Sequence, residues 1–187
     1  MAFWNSSQAP KRAFRFKVQV NGMEGGAIWF AKSCTKPQLE IAEATHKYLG
    51  HTFHFPGGAT WSDVTITLVD PGDPDVATQV LKMINAAGYD KPLDPGAGGS
   101  EQLKTVGKAK MVDAIKGITI SQLDADGATI EEFTLNNPII KNVNFSELSY
   151  ETEDLSTIEL VVAYDWPTFE GRDGTPLFYD GTDTPTS

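Results

Sequence analysis

Apolar and polar residues alternate with period two along much of this chain, and that period predicts β-strands. Phe14, Phe16, Val18 and Val20 alternate with Arg15, Lys17 and Gln19, the pattern of a half-buried strand. Asn21-Gly22 and Gly25-Gly26 mark a turn, and Ile28 to Ser33 predicts the next strand. Leu39 and Ile41 alternate with Glu40, Ala42 and Ala44 up to Lys47, where Gly50 breaks the run. His51, Phe53 and Phe55 then share one face before Pro56-Gly57-Gly58, and 50–60 is expected to be a loop. Between Trp61 and Asp70, Val64, Ile66 and Leu68 point inward and Thr65 and Thr67 outward. Strands resume at Gly117 with Ile118 and Ile120, then Thr129 to Leu135 and Val143 to Tyr150. The last is Ile158, Leu160, Val162 and Tyr164, ending at Asp165-Trp166-Pro167. Asp126-Gly127 predicts a type I′ hairpin turn, which needs positive φ at both central residues.

Between these strands the period becomes helical. Val76, Val80, Ile84 and Ala87 form one stripe, with Asp73 as cap, Pro74 in the first turn and Gly88 at the end. Asp94 to Gly99 predicts a flexible loop, and Ser100 to Asp113 a second helix weakened by Gly107. The expected fold is mainly β: an antiparallel β-sandwich or barrel with one or two flanking α-helices. Residues 1–168 read as a single β-domain with an N-terminal arm, and 169–187 as an extended acidic tail.

The length of 187 residues suffices for one core without disulfide or metal. No apolar run approaches the roughly 18–20 residues that span a membrane, and no secretory signal is expected at the N-terminus. Cys34 is the only cysteine, read as a small core hydrophobe, which fits synthesis in a reducing cytoplasm. The net charge of −10 argues against tight nucleic-acid binding, which needs Lys and Arg to displace counterions. Lys11, Arg12, Arg15 and Lys17 precede the first acid, whereas Arg172 is the only base after Glu151. A basic head and an acidic end are suited to pairing between copies, or simply to solubility.

Candidate chemistry is thin. The stretch Asp124-Ala125-Asp126-Gly127 resembles part of a calcium loop, but Glu131 and Glu132 miss the register. His46, His51 and His54 lie close in sequence, and in an unbroken strand His46 and His54 share a face while His51 points away. No cysteine completes a metal set there. Phosphate loops and nucleophile elbows are absent, and no carboxylate pair stands out. No catalytic residue, cofactor or metal is expected.

One ordered set of motifs resembles a known family. Lys36-Pro37, the stretch from Glu40 through His46 and Tyr48 to Gly57, and Trp61 to Pro71 are similar to the first half of tail tube proteins of contractile-tailed bacteriophages. Gln122 to Gly127, Ile130 to Asn136 and Tyr164-Asp165-Trp166 are similar to the second half, so the resemblance covers residues 12 to 168. It implies a structural protein of the virion, assembled in the host cytoplasm. Such subunits form hexameric rings, stacked as a tube around a lumen for DNA passage. The partners it implies are further copies of the chain, a tail sheath protein, a tape-measure protein, a baseplate hub and a tail terminator. Phage DNA is in transit without specific binding, and the chain does not insert into a membrane.

General physics is compatible with that expectation. Edge strands need covering, and unlike faces in contact produce an open filament. A negative lumen repels DNA within a Debye length of about 8 Å. Glu40, Glu43 and Lys47 are candidates for the lumen or the next subunit, as are Glu147 and Glu151 in the polar Glu147-to-Glu159 region. His51, Phe53 and Phe55, with the termini, are candidates for contact between rings. Three alternatives stay open. One is the inner tube of a type VI secretion or extracellular contractile injection system. Another is a monomeric carbohydrate-binding sandwich displaying Trp29, Trp61 or Trp166, and the third is a hydrolase using the histidines.

Overall fold

A computed structural model describes residues 10–23, 30–89, 105–151 and 153–178 of the chain. Eleven strands and two helices follow one another within these residues. In chain order they are β1 (Phe16–Val20), β2 (Ala31–Cys34), β3 (Leu39–Tyr48), β4 (His51–Trp61) and β5 (Val64–Val69), then α1 (Val76–Ala86) and α2 (Lys108–Ile115). β6 (Ile118–Leu123), β7 (Thr129–Asn136), β8 (Ile139–Phe145), β9 (Thr157–Ala163), β10 (Trp166–Glu170) and β11 (Pro176–Leu177) complete it.

The strands form three antiparallel sheets. Five strands in the order β1-β6-β7-β10-β11 make one, and four in the order β2-β5-β9-β8 the second. β3 and β4 pair only with each other. The first two sheets share one core. Val18, Val20, Ile118, Ile120 and Leu135 come from the five-stranded sheet, and Val64, Ile66, Leu68, Ile158, Leu160 and Val162 from the four-stranded one. Val76, Val80 and Met83 of α1 and Met111 and Ile115 of α2 join the same core. This is the expected mainly-β sandwich with flanking helices.

Local corrections have local reasons. The cap of α1 is Asp75, not Asp73: its carboxylate accepts from the Thr78 amide at 2.9 Å. Pro74 therefore precedes the helix. Gly107 does not weaken the second helix from inside but stands at its N-cap. Of the expected run from Ser100, residues 100–104 lie outside the described residues, as do Gly25-Gly26, Ile28, Trp29 and Asp94 to Gly99. At Asp126-Gly127 only Gly127 has positive φ, at 83°. The Asp124 carboxylate accepts from the Asp126 and Ala128 amides, each at 2.9 Å, so an Asp-centred turn replaces type I′. The strand expected over Val143 to Tyr150 ends at Phe145. The boundary expected at 168 falls inside β10, whose Thr168, Phe169 and Glu170 pair with Thr134, Phe133 and Glu132. The Phe133 and Phe169 rings pack 4.8 Å apart there.

Close packing fixes two corners. A Cβ on Gly22 would stand 2.1 Å from the Ala114 carbonyl oxygen, so only glycine lets the end of β1 meet α2. Lys108 Nζ reaches both Asp165 oxygens at 2.7 Å, and Asn137 Nδ2 donates to one of them at 2.8 Å. Hydrogen bonding from Lys108 first, then Asn137, holds the Asp165 carboxyl below its ordinary pKa.

Candidate assembly surface

β3 and β4 form a hairpin of ten and eleven residues. Ten residues of strand extend about 33 Å. Every residue from Leu39 to Thr60 is exposed, and only Trp61, at the root, is half-buried. A two-stranded hairpin without a covered face is marginal in water. This one is joined to the sandwich at its root. The Ser62 amide donates to the Gln38 carbonyl at 2.9 Å, Thr35 and Thr65 exchange hydrogen bonds, and the Tyr164 hydroxyl donates to the Ser62 carbonyl at 2.9 Å.

The residues expected as a loop at 50–60 are strand. Reversal takes only Leu49 and Gly50, at φ 46° and 82°, which makes the type I′ turn the sequence suggested elsewhere. Leucine rarely adopts that conformation, yet Leu49 stands fully out at the tip. His51, Phe53 and Phe55 share one face, as their spacing implied, but on β4 opposite Tyr48, His46 and Ala44. Glu43 and Lys47 share the other face with His54, Thr45 and Thr52, and Glu43 contacts His54 directly. Glu40 does not join them: its odd spacing from Glu43 and Lys47 puts it opposite Thr60 on the aromatic side. The histidine parity also reverses. Chain reversal puts His46 and His51 on one face and His54 on the other. Among the described residues no group of three His, Cys, Asp or Glu is placed to hold a metal.

Each face changes character at a β-bulge, where Ala42 stands opposite Gly57 and Gly58. Near the root one face carries Leu39, Ile41, Ala59 and Trp61 while the other carries Glu40 and Thr60. Beyond the bulge the first face becomes polar and the second aromatic. Phe53 and Phe55 are 50% and 54% exposed, so each retains apolar area whose burial would stabilise a contact. Trp61 meets Phe178 edge-on, ring centroids 5.7 Å apart.

Other expected positions fall elsewhere. Glu147 and Glu151 are exposed in the irregular segment between β8 and β9, beside Leu148 at 85% exposure and Tyr150. They are not brought to the hairpin by any described contact. Glu159 lies on the outer face of the four-stranded sheet and accepts from Asn144 Nδ2 at 3.2 Å. Trp61 and Trp166 are half-buried and form no exposed platform, and Trp29 lies outside the described residues. Cys34 packs against the core, where burial pushes its thiol up to about 12, far from a reactive thiolate.

Sequence reasoning missed Glu131. It is buried on β7 and is met by Lys11 and Lys36. Burial alone would raise its pKa, but hydrogen bonds from Lys11 and Lys36 and their charges outweigh it, so the carboxyl is held low.

No protein-family model matches the sequence, and no curated protein matches it. Solved structures do share the fold. A chain in the sheath/tube terminator of the PVC extracellular contractile injection system, in the extended state, is 19% identical with a TM-score of 0.62, over 89% of this chain and 100% of that one. A chain in the PVC sheath-tube complex is 17% identical with a TM-score of 0.59, over 90% and 99%. A chain in the baseplate of the anti-feeding prophage is 9% identical with a TM-score of 0.61, over 88% and 98%. The fold is therefore that of proteins found in contractile injection assemblies.

Proposed function

We propose that this chain is a structural, non-catalytic subunit that assembles with copies of itself into the tube of a contractile tail or injection machine. The hairpin carries the proposal. Strands of ten and eleven residues with exposed aromatics, whose two outer edges pair with no other strand among the described residues, are incomplete in one copy. Among the described residues, β2 and β8 are likewise the edge strands of the four-stranded sheet. Neighbouring copies closing into rings would satisfy both, and stacking of rings would bury the aromatic half of the hairpin. Phe53, Phe55 and His51 are then ring-to-ring contacts, and Glu43 and Lys47 face the lumen or the next copy. The likeness to tube and terminator assemblies supports self-association and a sheath around it.

In a phage, the cargo is DNA, with the hub, terminator and tape-measure protein as further partners. The alternative is an injection-machine tube, favoured by the origin of the similar structures in such systems. Genes for capsid and terminase beside this one would decide for the phage tail. Negative-stain microscopy of concentrated protein tests the shared claim. Rings or tubes are expected, and uniformly small particles would overturn it.

A further inference from the structure

Glu131 is the only acidic residue buried among the described residues, 8% exposed on β7. Its two carboxylate oxygens are directed to two different segments. Lys11, from the stretch preceding β1, reaches Oε2, and Lys36, from the connector that leads into β3, reaches Oε1. Beside it on β6 lies Gln122, 5% exposed, whose Nε2 donates to the Arg12 and Arg15 carbonyls at 2.7 and 2.8 Å. The Leu123 amide adds a bond to the Arg15 carbonyl at 2.9 Å. On the side toward β10, Glu132, Glu170 and Arg172 line the same surface, and Glu132 accepts the Ser121 hydroxyl at 2.8 Å.

A buried carboxylate is tolerated when its oxygens are matched by charged donors. Here the donors come from the two segments that leave the sandwich at this end. We infer that Glu131 is a positioning residue, a shared fastening point that fixes the N-terminal segment and the root of the hairpin against the sandwich together. Gln122 reinforces the first of these through its bonds to the Arg12 and Arg15 carbonyls. Charge at position 131 therefore sets where the hairpin leaves the body.

The latch belongs to the single folded chain, so it is read on dilute, unassembled protein and does not depend on tube formation. Amine acetylation at mildly alkaline pH, followed by mass spectrometry, reports each lysine. Lys11 and Lys36 are expected to react several-fold more slowly than Lys47 on the exposed hairpin. In Glu131→Gln both should rise to the Lys47 rate, with Lys108 and Lys141 unchanged as internal references. In Lys36→Met, amide exchange around residues 36–41 should quicken while Lys11 stays slow. Equal rates for all lysines in the native chain, or a rise of only one lysine in Glu131→Gln, would overturn the latch. Should Glu131→Gln fail to fold, the native rates and Lys36→Met decide the matter.

Discussion

β5 and β3 both alternate apolar and polar residues, yet their surroundings are opposite. β5 buries Val64, Ile66 and Leu68 completely and turns Thr65 and Thr67 outward. β3 buries nothing. A strand serving one core keeps its apolar residues on one face throughout. The hairpin instead carries apolar residues on one face near the root and on the other near the tip. That exchange suits an element gripped by two different surfaces, and in the proposed assembly it divides residues that fold the chain from residues that join copies.

The sharpest way to break this division is at the tip. Phe53→Asp combined with Phe55→Asp should abolish assembly in sedimentation velocity while leaving the melting temperature of the dilute chain unchanged. A large fall in melting temperature would show that the hairpin is part of the folding unit after all. The converse is Leu160→Ala in β9, which should lower folding stability by about 2–5 kcal/mol in denaturant titration. Gly22→Ala forces a methyl onto the Ala114 carbonyl and should cost about 1–3 kcal/mol, read the same way.

Acid sharpens the comparison further. The folded Glu131 carboxyl lies below its unfolded value, so its contribution to stability is present above the ordinary carboxylate pKa and is lost as pH falls through the folded one. The difference in melting temperature between the native chain and Glu131→Gln should therefore be greatest near neutrality and close below about pH 4. Smallest of all should be Thr45→Ser on the polar hairpin face, within about 0.5 kcal/mol in folding stability.

The sandwich was legible because its strands bury one face each, and Val64-Ile66-Leu68 or Ile158-Leu160-Val162 state that face without help. β10 was not, since Pro167 and the polar residues that follow resemble a chain end. Yet Pro167 is buried opposite Leu135, and Phe169 packs on Phe133. The hairpin was legible as strands up to Lys47 and then lost. Gly50, Pro56, Gly57 and Gly58 read as loop punctuation, whereas they supply a two-residue reversal and a bulge. The parity of the histidines depends on that reversal, because His46 precedes it and His51 and His54 follow it, whereas Glu40 parts from Glu43 by their odd spacing within β3 alone. Glu131 was invisible for another reason: its partners are 120 and 95 residues away.

A hairpin that leaves the body on one side also has a bearing on growth. Copies that meet through it add in one direction, and any column of them has two unlike ends. At one terminus the outermost tips would have nothing to grip, and at the other the receiving surfaces would stand vacant. In the tube proposed above, neither end would find its contacts in a further copy, so proteins of different sequence are expected to start it and to finish it.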